Sequence, residues 1–451
     1  MKCKANKTLL IAAAMIVLFS SKAFPQFSFY GNTSFGYYNN PLYNYQRKPD
    51  QLRQSYLEMN YLKDFEASRL SFSYVSGLML FNQLSDRNFY EHNIFAKYNL
   101  RLTQKKTSAG IEKGSALKDE EASEGDDSTS TESEEIEPTE EGESAESVME
   151  DSSASYLNFT LQAGARHDKD AFREFDNFGT GFTASYKTVP GDLFSLRITN
   201  SAGLRSYAYI SELSNFTDQL SVQIYNSYNG SYQYGLSLSG GIKYYTQSMY
   251  DTTKFENKRS FNQKSQGKGK LGSKITVPSS KQILLEPQEN GTSQFTAGVF
   301  FNKRWESQTA LRTLFLYRYN PKTLTRYLAQ YANTSMLSED LYNDFFSYEG
   351  FESKIAVDQP LPWNMQMSME YNFQQKNFEA PALNLDGVQI NNEKRRDMTN
   401  SVEVYVSKNF ALFHGFSLDV MLGTGILRNQ SNDDYNDFSS YHFTGTIGIG
   451  F

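Results

Sequence analysis

The chain has 451 residues, a formal net charge of −7 and a mean hydropathy of −0.58, which exclude a bundle of transmembrane helices. Aromatic residues make up 15% of the chain, with 31 tyrosines and 34 phenylalanines. Because disordered segments are poor in aromatic residues, this content excludes disorder over most of the chain. The 11 prolines and 29 glycines exclude collagen-like and low-complexity classes, so a β-rich class remains.

The first 23 residues have the pattern of a cleaved secretory signal. Lysines precede an apolar run over residues 9–19, and small residues follow as far as Ala23. A basic start, a short apolar run and a small-residue cleavage point are typical of such signals. The run is too short to span a bilayer as a helix. We therefore expect residues 1–23 to be removed, and we expect no plug domain before the first strand.

The only cysteine is Cys3, inside the predicted signal. The mature chain would then contain no cysteine, which excludes a disulfide scaffold, cysteine-ligated zinc and thiol catalysis.

The acidic balance of the chain comes from one segment. Residues 112–151 hold 17 acidic residues and two lysines, a net charge of −15, so the rest of the chain carries +8. The segment is rich in Glu and Ser and nearly lacks aromatic residues, which predicts a disordered insert over residues 104–154. A tolerated, solvated insertion is one interpretation. Binding of divalent cations and docking to a periplasmic or surface protein are the others.

Apolar and polar residues alternate through most of the remaining chain, for example between Tyr232 and Tyr244 and between Trp363 and Phe373. Such alternation predicts strands with two different faces. The first of these runs has 13 residues, more than the ~5–6 residues of a typical soluble strand. A tilted transmembrane strand needs about 9–11 residues. Aromatic residues near both ends are typical of the girdles of a transmembrane barrel. A large soluble β-sandwich or solenoid is the alternative.

The end of the chain carries the most specific pattern. Phe443, Ile447, Ile449 and the terminal Phe451 share one face, with Gly445 between them. Together with the signal and the alternation, this segment resembles the last strand of Gram-negative outer-membrane β-barrel proteins of the porin-like kind. The resemblance indicates no subfamily. It implies that these four residues form the signal read by the barrel-insertion machinery. It also implies that the mature protein lies in the outer membrane, in contact with its lipid.

The patterns predict an all-β fold, a single antiparallel up-and-down transmembrane barrel over residues 24–451 that the acidic insert interrupts. We predict 16 strands, with 14 and 18 as alternatives. The predicted strands cover residues 27–38, 52–63, 68–81, 91–103, 155–167, 178–189, 193–204, 218–229, 231–246, 292–304, 306–319, 346–357, 363–375, 397–409, 411–427 and 439–451.

An even strand number places both termini, and the acidic insert after the fourth strand, in the periplasm. The predicted turns on that side are short, as expected for such barrels. They lie near residues 63–66, 189–192, 228–231, 305, 358–362 and 410. The predicted external loops are longer. They lie near residues 39–51, 205–217, 247–291, 320–345, 376–396 and 428–438.

The polar face of each strand is expected to line the lumen. Its basic residues are Lys97, Arg101, Arg166, Lys187, Arg197, Lys243, Arg312, Arg318 and Lys354. Its acidic residues are Glu58, Glu352, Glu370, Glu403 and Asp419. Nine basic against five acidic residues predict a mildly cationic interior, and side-chain charge tunes the ion selectivity of a water-filled pore. Pairing of these charges for structural support is the alternative.

These expectations favour a porin-like channel for passive passage of small polar solutes, with a mild preference for anions. The alternative is a non-conducting surface or scaffold barrel whose long loops or acidic insert bind other proteins or cell-envelope components. The loop over 247–291 holds eight basic and four acidic residues. Inward folding, contact with surface polyanions and mobility are its three interpretations. It lacks stacking or groove-reading elements, so we expect no nucleic-acid partner.

We expect neither enzyme activity nor a cofactor. No Gly-x-Ser-x-Gly, His-Glu-x-x-His or phosphate-binding glycine loop occurs at a suitable place. His92 and His167 are predicted near the external rim on neighbouring strands, with Glu91, Asp168 and Asp170 close in sequence. Two histidines with carboxylates can hold a metal, but rim histidines without a metal are the interpretation that we favour.

Overall fold

The structure is a computed structural model. It describes residues 26–43, 47–103, 155–189, 194–226, 232–247, 290–322, 345–385, 388–412 and 415–451. In these ranges, 16 antiparallel strands form one closed barrel, in which each strand pairs with its neighbours in the chain and β1 pairs with β16. The predicted all-β barrel of 16 strands is therefore confirmed. The signal over 1–23, the acidic insert over 104–154 and nearly all of the loop over 247–291 lie outside the described residues.

The strands are β1 (Phe27–Tyr38), β2 (Asp50–Asp64), β3 (Ser68–Phe81), β4 (Phe89–Thr103), β5 (Ser155–Asp168), β6 (Asn177–Thr188), β7 (Phe194–Tyr207), β8 (Asn215–Asn226), β9 (Tyr232–Tyr245), β10 (Gly291–Arg304), β11 (Ala310–Lys322), β12 (Tyr348–Leu361), β13 (Met365–Leu383), β14 (Gln389–Ala411), β15 (Ser417–Ser431) and β16 (Phe438–Gly450). Short 3-10 turns lie at Ser85–Arg87, Asp170–Phe175, Ser211–Leu213 and Phe345–Ser347. No helix within the described ranges is long and apolar enough to cross a membrane.

The two ends of the barrel differ in their connections. The end that holds Phe27 and Phe451, here called the terminal end, has short connections such as 65–67, 305–309 and 362–364. The opposite end, here called the loop end, carries the longer connections, including 39–49 and 246–290. This asymmetry is the one that the sequence predicted. The predicted turn over 228–231 and most of the one over 189–192 lie outside the described residues.

Two predicted connections are wrong. The loop predicted over 376–396 is largely a hairpin, since β13 continues to Leu383 and β14 begins at Gln389. The apolar residues of this part of β13, such as Phe378 and Ala380, have the inner parity. The apolar face of the strand therefore changes sides although the backbone pairing continues, as at Asn377 opposite Arg396. The connection predicted over 358–362 begins only after Leu361.

Trp363 consequently lies in the turn before β13 and not in the strand. It has a positive φ of 66°, and its side chain is 79% exposed. Tight hairpin turns often need positive φ, so the chain reverses at this residue, where the sequence alone predicted the first position of a strand.

The alternation in the sequence becomes two faces of one wall. On β9, Leu236 and Leu238 are 55% and 58% exposed on the outer surface, while Ser237 and Ser239 point inward, since successive side chains of a strand alternate. Backbone groups are paired around the closed ring, which removes the open edges that lipid does not tolerate. The barrel thus has an apolar outer surface and a polar inner wall.

Candidate functional site: the inner wall of the barrel

All 14 predicted lumen charges share the inner face. Following cross-strand partners around the closed barrel shows that the inner positions of each strand are either all even-numbered or all odd-numbered. Tyr30, for example, lies opposite Glu58, and Glu370 lies opposite Glu403. The opposite parity holds the exposed apolar residues of the outer surface. The register therefore places every one of these charges as the sequence predicted, whereas their part in solute passage stays a prediction.

The inner face also carries charges that the sequence analysis missed. These are Asp50, Asp64, Arg69, Glu91, Asp168, Arg205, Arg304, Asp358, Lys376, Arg395 and Asp397. Several, such as Asp358 and Lys376, fell in predicted connections because the strands were drawn too short. Extending the alternation of inner and outer positions beyond the predicted ends of β12 and β13 places Asp358 and Lys376 on the inner face.

Ion pairs between neighbouring strands hold part of this wall together. Glu352 lies 3.0 Å from Arg318, and their side chains are only 17% and 12% exposed. Lys354 Nζ lies 2.9 Å from Glu370, and the adjacent strands β11 and β12 also pair Arg312 with Asp358. On β11–β13 the inner charges therefore form ion pairs between neighbouring strands, which supports structural pairing of charges in this part of the wall.

A second arc of the wall carries inner cations without inner acids. In the described parts of β6–β11, no acidic residue occupies an inner position. The acidic residue of these strands, Asp218, points outward and accepts a hydrogen bond of 2.8 Å from the Asn200 amide. We call the inner basic residues of this arc the cationic wall. They are Lys187, Arg197, Arg205, Lys243 and Arg304, together with Arg312 and Arg318 at the β11 edge, which pair with the β12 carboxylates described above.

The arc from β14 through β16 and β1 to β2 has the opposite character. We call Glu58, Glu403 and Asp419 the acidic wall. Among the described residues of this arc, the arginine or lysine at an inner position is Arg395. It lies in the hairpin beyond the loop end and pairs with Asp397.

Neutral groups donate hydrogen bonds to the acidic wall. Glu58 accepts from the Tyr56 hydroxyl and the Asn60 amide, each at 2.8 Å. Asp419 accepts from the Asn409 amide at 2.6 Å, and Glu403 accepts from the Tyr405 hydroxyl. These donors are uncharged, so the hydrogen bonds add no positive charge to the acidic wall.

Hydroxyl and amide groups cover the wall between these charges. Thr183 and Ser201 lie within 3.1 Å of each other, and Ser185 and Thr199 within 2.9 Å. Gln162 also has the inner parity on β5, yet it is exposed. An inner side chain that is exposed indicates space for water inside the barrel at this level.

The loop end is more tightly packed. Tyr38, Leu52, Met79, Phe81 and Phe89 form a buried cluster on inner positions of β1–β4. The Asp50 carboxylate accepts hydrogen bonds from three backbone N–H groups, those of residues 51, 83 and 84. A second buried cluster, of Tyr348, Phe378 and Ala380, lies on β12 and β13. These contacts order the loop end.

The two rim histidines do not meet the nearby carboxylates. His92 and His167 point outward, while Glu91 and Asp168 have the inner parity of the same strands. His92 Nδ1 lies 2.8 Å from the Tyr74 hydroxyl. The described residues contain no group of three His, Cys, Asp or Glu side chains placed to hold a metal. Alternation along the strands therefore separates each histidine from the carboxylate next to it in sequence, and His167 Nδ1 instead lies 4.0 Å from a carboxylate oxygen of Asp176.

The last strand closes the barrel. Phe443, Ile447 and Ile449 are 57%, 56% and 43% exposed on the outer surface. The Phe451 ring lies 4.8 Å from that of Phe416, and its backbone exchanges two hydrogen bonds of 2.9 Å with Phe29. The face shared by these residues is therefore present on the outer surface.

Comparison with known proteins finds remote matches among solved structures. No family model matches the chain, and no curated protein matches it. Among solved structures, CdiB from Acinetobacter baumannii is 11% identical with a TM-score of 0.46, covering 95% of this chain and 61% of its own. The chain thus spans less than two thirds of CdiB. The outer membrane protein OprD from Pseudomonas aeruginosa is 9% identical with a TM-score of 0.40 and 96% of each chain covered. OpdK from Pseudomonas aeruginosa, solved with vanillate, is 8% identical with a TM-score of 0.41, covering 95% of this chain and all of its own.

Proposed function

We propose that the protein is an outer-membrane channel for the passive passage of small polar solutes. The observation that carries the proposal is the pairing of an exposed apolar outer surface with a polar, charged inner wall that includes exposed inner side chains such as Gln162. An apolar band outside and a polar, water-filled interior are the properties of conducting outer-membrane barrels. In this proposal the terminal end faces the periplasm, and the loop end faces the exterior.

The channel has a mild preference for anions. Of the 25 inner charges named above, 14 are basic and 11 are acidic, and the cationic wall extends over six consecutive strands. Several cations, including Arg318 and Lys354, are neutralised by neighbouring carboxylates, so the excess is small. Charged rings and walls tune ion selectivity without abolishing the passage of the opposite ion.

Conductance in planar bilayers tests the proposal. Purified, folded protein should give stepwise conductance, and a KCl gradient should give a reversal potential whose sign indicates chloride preference. A preference for potassium would remove the anion part of the proposal. Absence of conductance, with the barrel shown to be folded by heat-modifiable migration in gels, would overturn the channel and support a scaffold barrel.

We also propose that the last strand serves as the assembly signal. Three of its four predicted residues lie on the outer surface, where a second protein can reach them during insertion. Their apolar character and the terminal aromatic ring support this role. Delivery of Phe451 variants to the outer membrane tests it, as described below.

A further inference from the structure

We propose that the inner wall holds a binding site for quaternary ammonium compounds, formed by Glu403 and the aromatic rings near it on β14, β16 and β1. This inference goes beyond the proposed channel function, because a solute can bind at the site whether or not it crosses the membrane. The juxtaposition that carries it is one inner carboxylate among Tyr405, His442 and Tyr38.

The register brings these residues to one level of the barrel. Glu403 lies opposite Gly425 on β15, and Gly425 lies opposite His442 on β16. His442 in turn lies opposite Tyr38 on β1. All four have inner positions on their strands. The row therefore crosses the seam at which β1 closes on β16, and it joins parts of the chain that are far apart in sequence.

Glycines on β15 let two rings approach the carboxylate. A Cβ at Gly423 would lie 2.7 Å from Cδ1 of the Tyr405 ring, and a Cβ at Gly425 would collide with the His442 ring. The two rings therefore cover the inner surface of β15 from its two sides, where other residues would place a side chain. Because Gly425 has no side chain, the His442 ring reaches across β15 toward Glu403, and the two groups interact electrostatically.

Tyr38 and Tyr43 extend the aromatic surface toward the loop end. The Tyr38 ring stacks on His442, with centroids 5.0 Å apart and an interplanar angle of 25°. Tyr43, in the connection after β1, stacks on Phe438 at 5.8 Å and 17°. Both tyrosines lie within electrostatic range of Glu403. Together with Tyr405, four aromatic side chains thus have the same carboxylate as a neighbour.

The Glu403 carboxylate is available to a ligand. The hydrogen bond that it accepts comes from the neutral Tyr405 hydroxyl. Glu370, directly opposite Glu403 on β13, is paired with Lys354 at 2.9 Å. Glu403 and Tyr405 are partly exposed, and their inner positions direct this exposure toward the lumen. A solute inside the barrel can therefore reach both groups.

This combination matches the chemistry of a quaternary ammonium group. Such a cation is attracted to the faces of aromatic rings within about 6 Å of the ring centroid, and aromatic cages are its usual binding sites. Its methyl groups need no hydrogen-bond acceptors. A primary ammonium group, by contrast, carries three N–H donors that the rings do not satisfy. An anion would be repelled by Glu403.

Equilibrium binding to the folded protein provides the test. Choline is compared with neohexanol, its uncharged carbon isostere, and with ethanolamine, which has the charge but lacks the methyl groups. We expect choline to bind about five- to thirtyfold more tightly than either compound, the range that cation–π contacts allow. Ligand-observed NMR titrations give the three affinities.

Substitutions at the site should remove this preference. Glu403→Gln, which keeps the size of the side chain, and Tyr405→Leu should each lower the choline affinity about fivefold. Tyr405→Phe keeps the ring and should retain most of the preference. The control is Phe300→Leu on β10, where a Cβ at Gly235 would lie 2.6 Å from the Phe300 ring. It removes the same kind of contact between a ring and an inner glycine, on a described part of the wall without inner acids, and should bind choline as the wild type does.

The outcomes separate this inference from the channel itself. Equal affinities for choline and neohexanol would overturn the site. Ethanolamine binding as tight as that of choline would also overturn it, because the carboxylate alone would then account for the affinity. An equal loss in Phe300→Leu would overturn the assignment to these rings. Conductance without choline binding would overturn the inference and leave the channel standing, whereas choline binding to a folded, non-conducting barrel would support the site and overturn the channel.

Discussion

Lys187 on β6 and Arg197 on β7 lie directly opposite each other, and both side chains point into the barrel. Like charges placed directly opposite on neighbouring strands destabilise a sheet. A pair retained at such a cost fits a role in the lumen better than a role in folding, and it gives the most direct test of selectivity.

Replacing Lys187 with Gln should make the channel less selective for anions, because it removes one positive charge from the inner wall. The reversal potential in a KCl gradient measures the change. Lys303→Gln is the control, because Lys303 points outward at the terminal end and its loss should not change the reversal potential. A reversal potential unchanged in Lys187→Gln would contradict the assignment.

The mostly buried pair of Arg318 and Glu352 should matter more for stability than an exposed pair. Glu352→Gln leaves the Arg318 charge at 12% exposure with a weaker partner, and we expect a loss of about 1–3 kcal/mol. Asp64→Asn is the matched control, since Asp64 and its partner Arg69 are 59% and 34% exposed, and such surface pairs contribute about 0–1 kcal/mol. Urea unfolding of both variants measures the difference, and similar losses would refute the prediction.

The outer and inner faces of β9 should respond oppositely to a new charge. Leu238 is 58% exposed near the middle of the outer surface, and Leu238→Arg should cost about 2–4 kcal/mol in a bilayer, as for cations at the membrane midplane. Ser239, the next residue, points inward, so Ser239→Arg should cost much less and change conductance instead. Equal destabilisation by the two arginines would show that the faces are wrongly assigned.

Gly350 on β12 leaves no room for a side chain. A Cβ at this position would lie 1.7 Å from the Gln375 carbonyl oxygen on β13, so the two strands would have to separate. We expect Gly350→Ala to cost about 1–3 kcal/mol, as is usual for overpacking. At Gly445 a Cβ would meet nothing nearer than 3.7 Å, so Gly445→Ala is the control. Thermal or denaturant unfolding compares them, and a neutral Gly350→Ala would contradict the observed packing.

Phe451→Ala should separate assembly from stability. The backbone of residue 451 keeps its two hydrogen bonds to Phe29, so the refolded variant should lose only the contact of the Phe451 ring with Phe416. Aromatic pairs of this kind contribute about 0.5–1.5 kcal/mol. In cells, by contrast, the variant should reach the outer membrane poorly if the last strand is the insertion signal. Normal delivery together with normal refolding would exclude that role.

Local pattern was enough to predict much of the wall. Alternation gave 16 strands and the inner position of every predicted charge, because side-chain direction has a period of two along any strand. Strand ends were harder to predict. Beyond the apolar band, Phe378 and Ala380 of β13 are buried on the inner face. The alternation with apolar residues outside therefore does not continue into the extension to Leu383. The inner charges Asp358 and Lys376 were missed for this reason.

The sequence by itself determined which residues face inward, which face outward and how many strands the chain forms, since these properties depend on neighbours within a few residues. The tertiary structure alone decided where each strand stands around the ring. Closure of β1 on β16 gathers Glu58, Glu403 and Asp419 on one side, opposite Lys187 and Arg197. That separation of charge comes from pairing between the two ends of the chain, which no local pattern records.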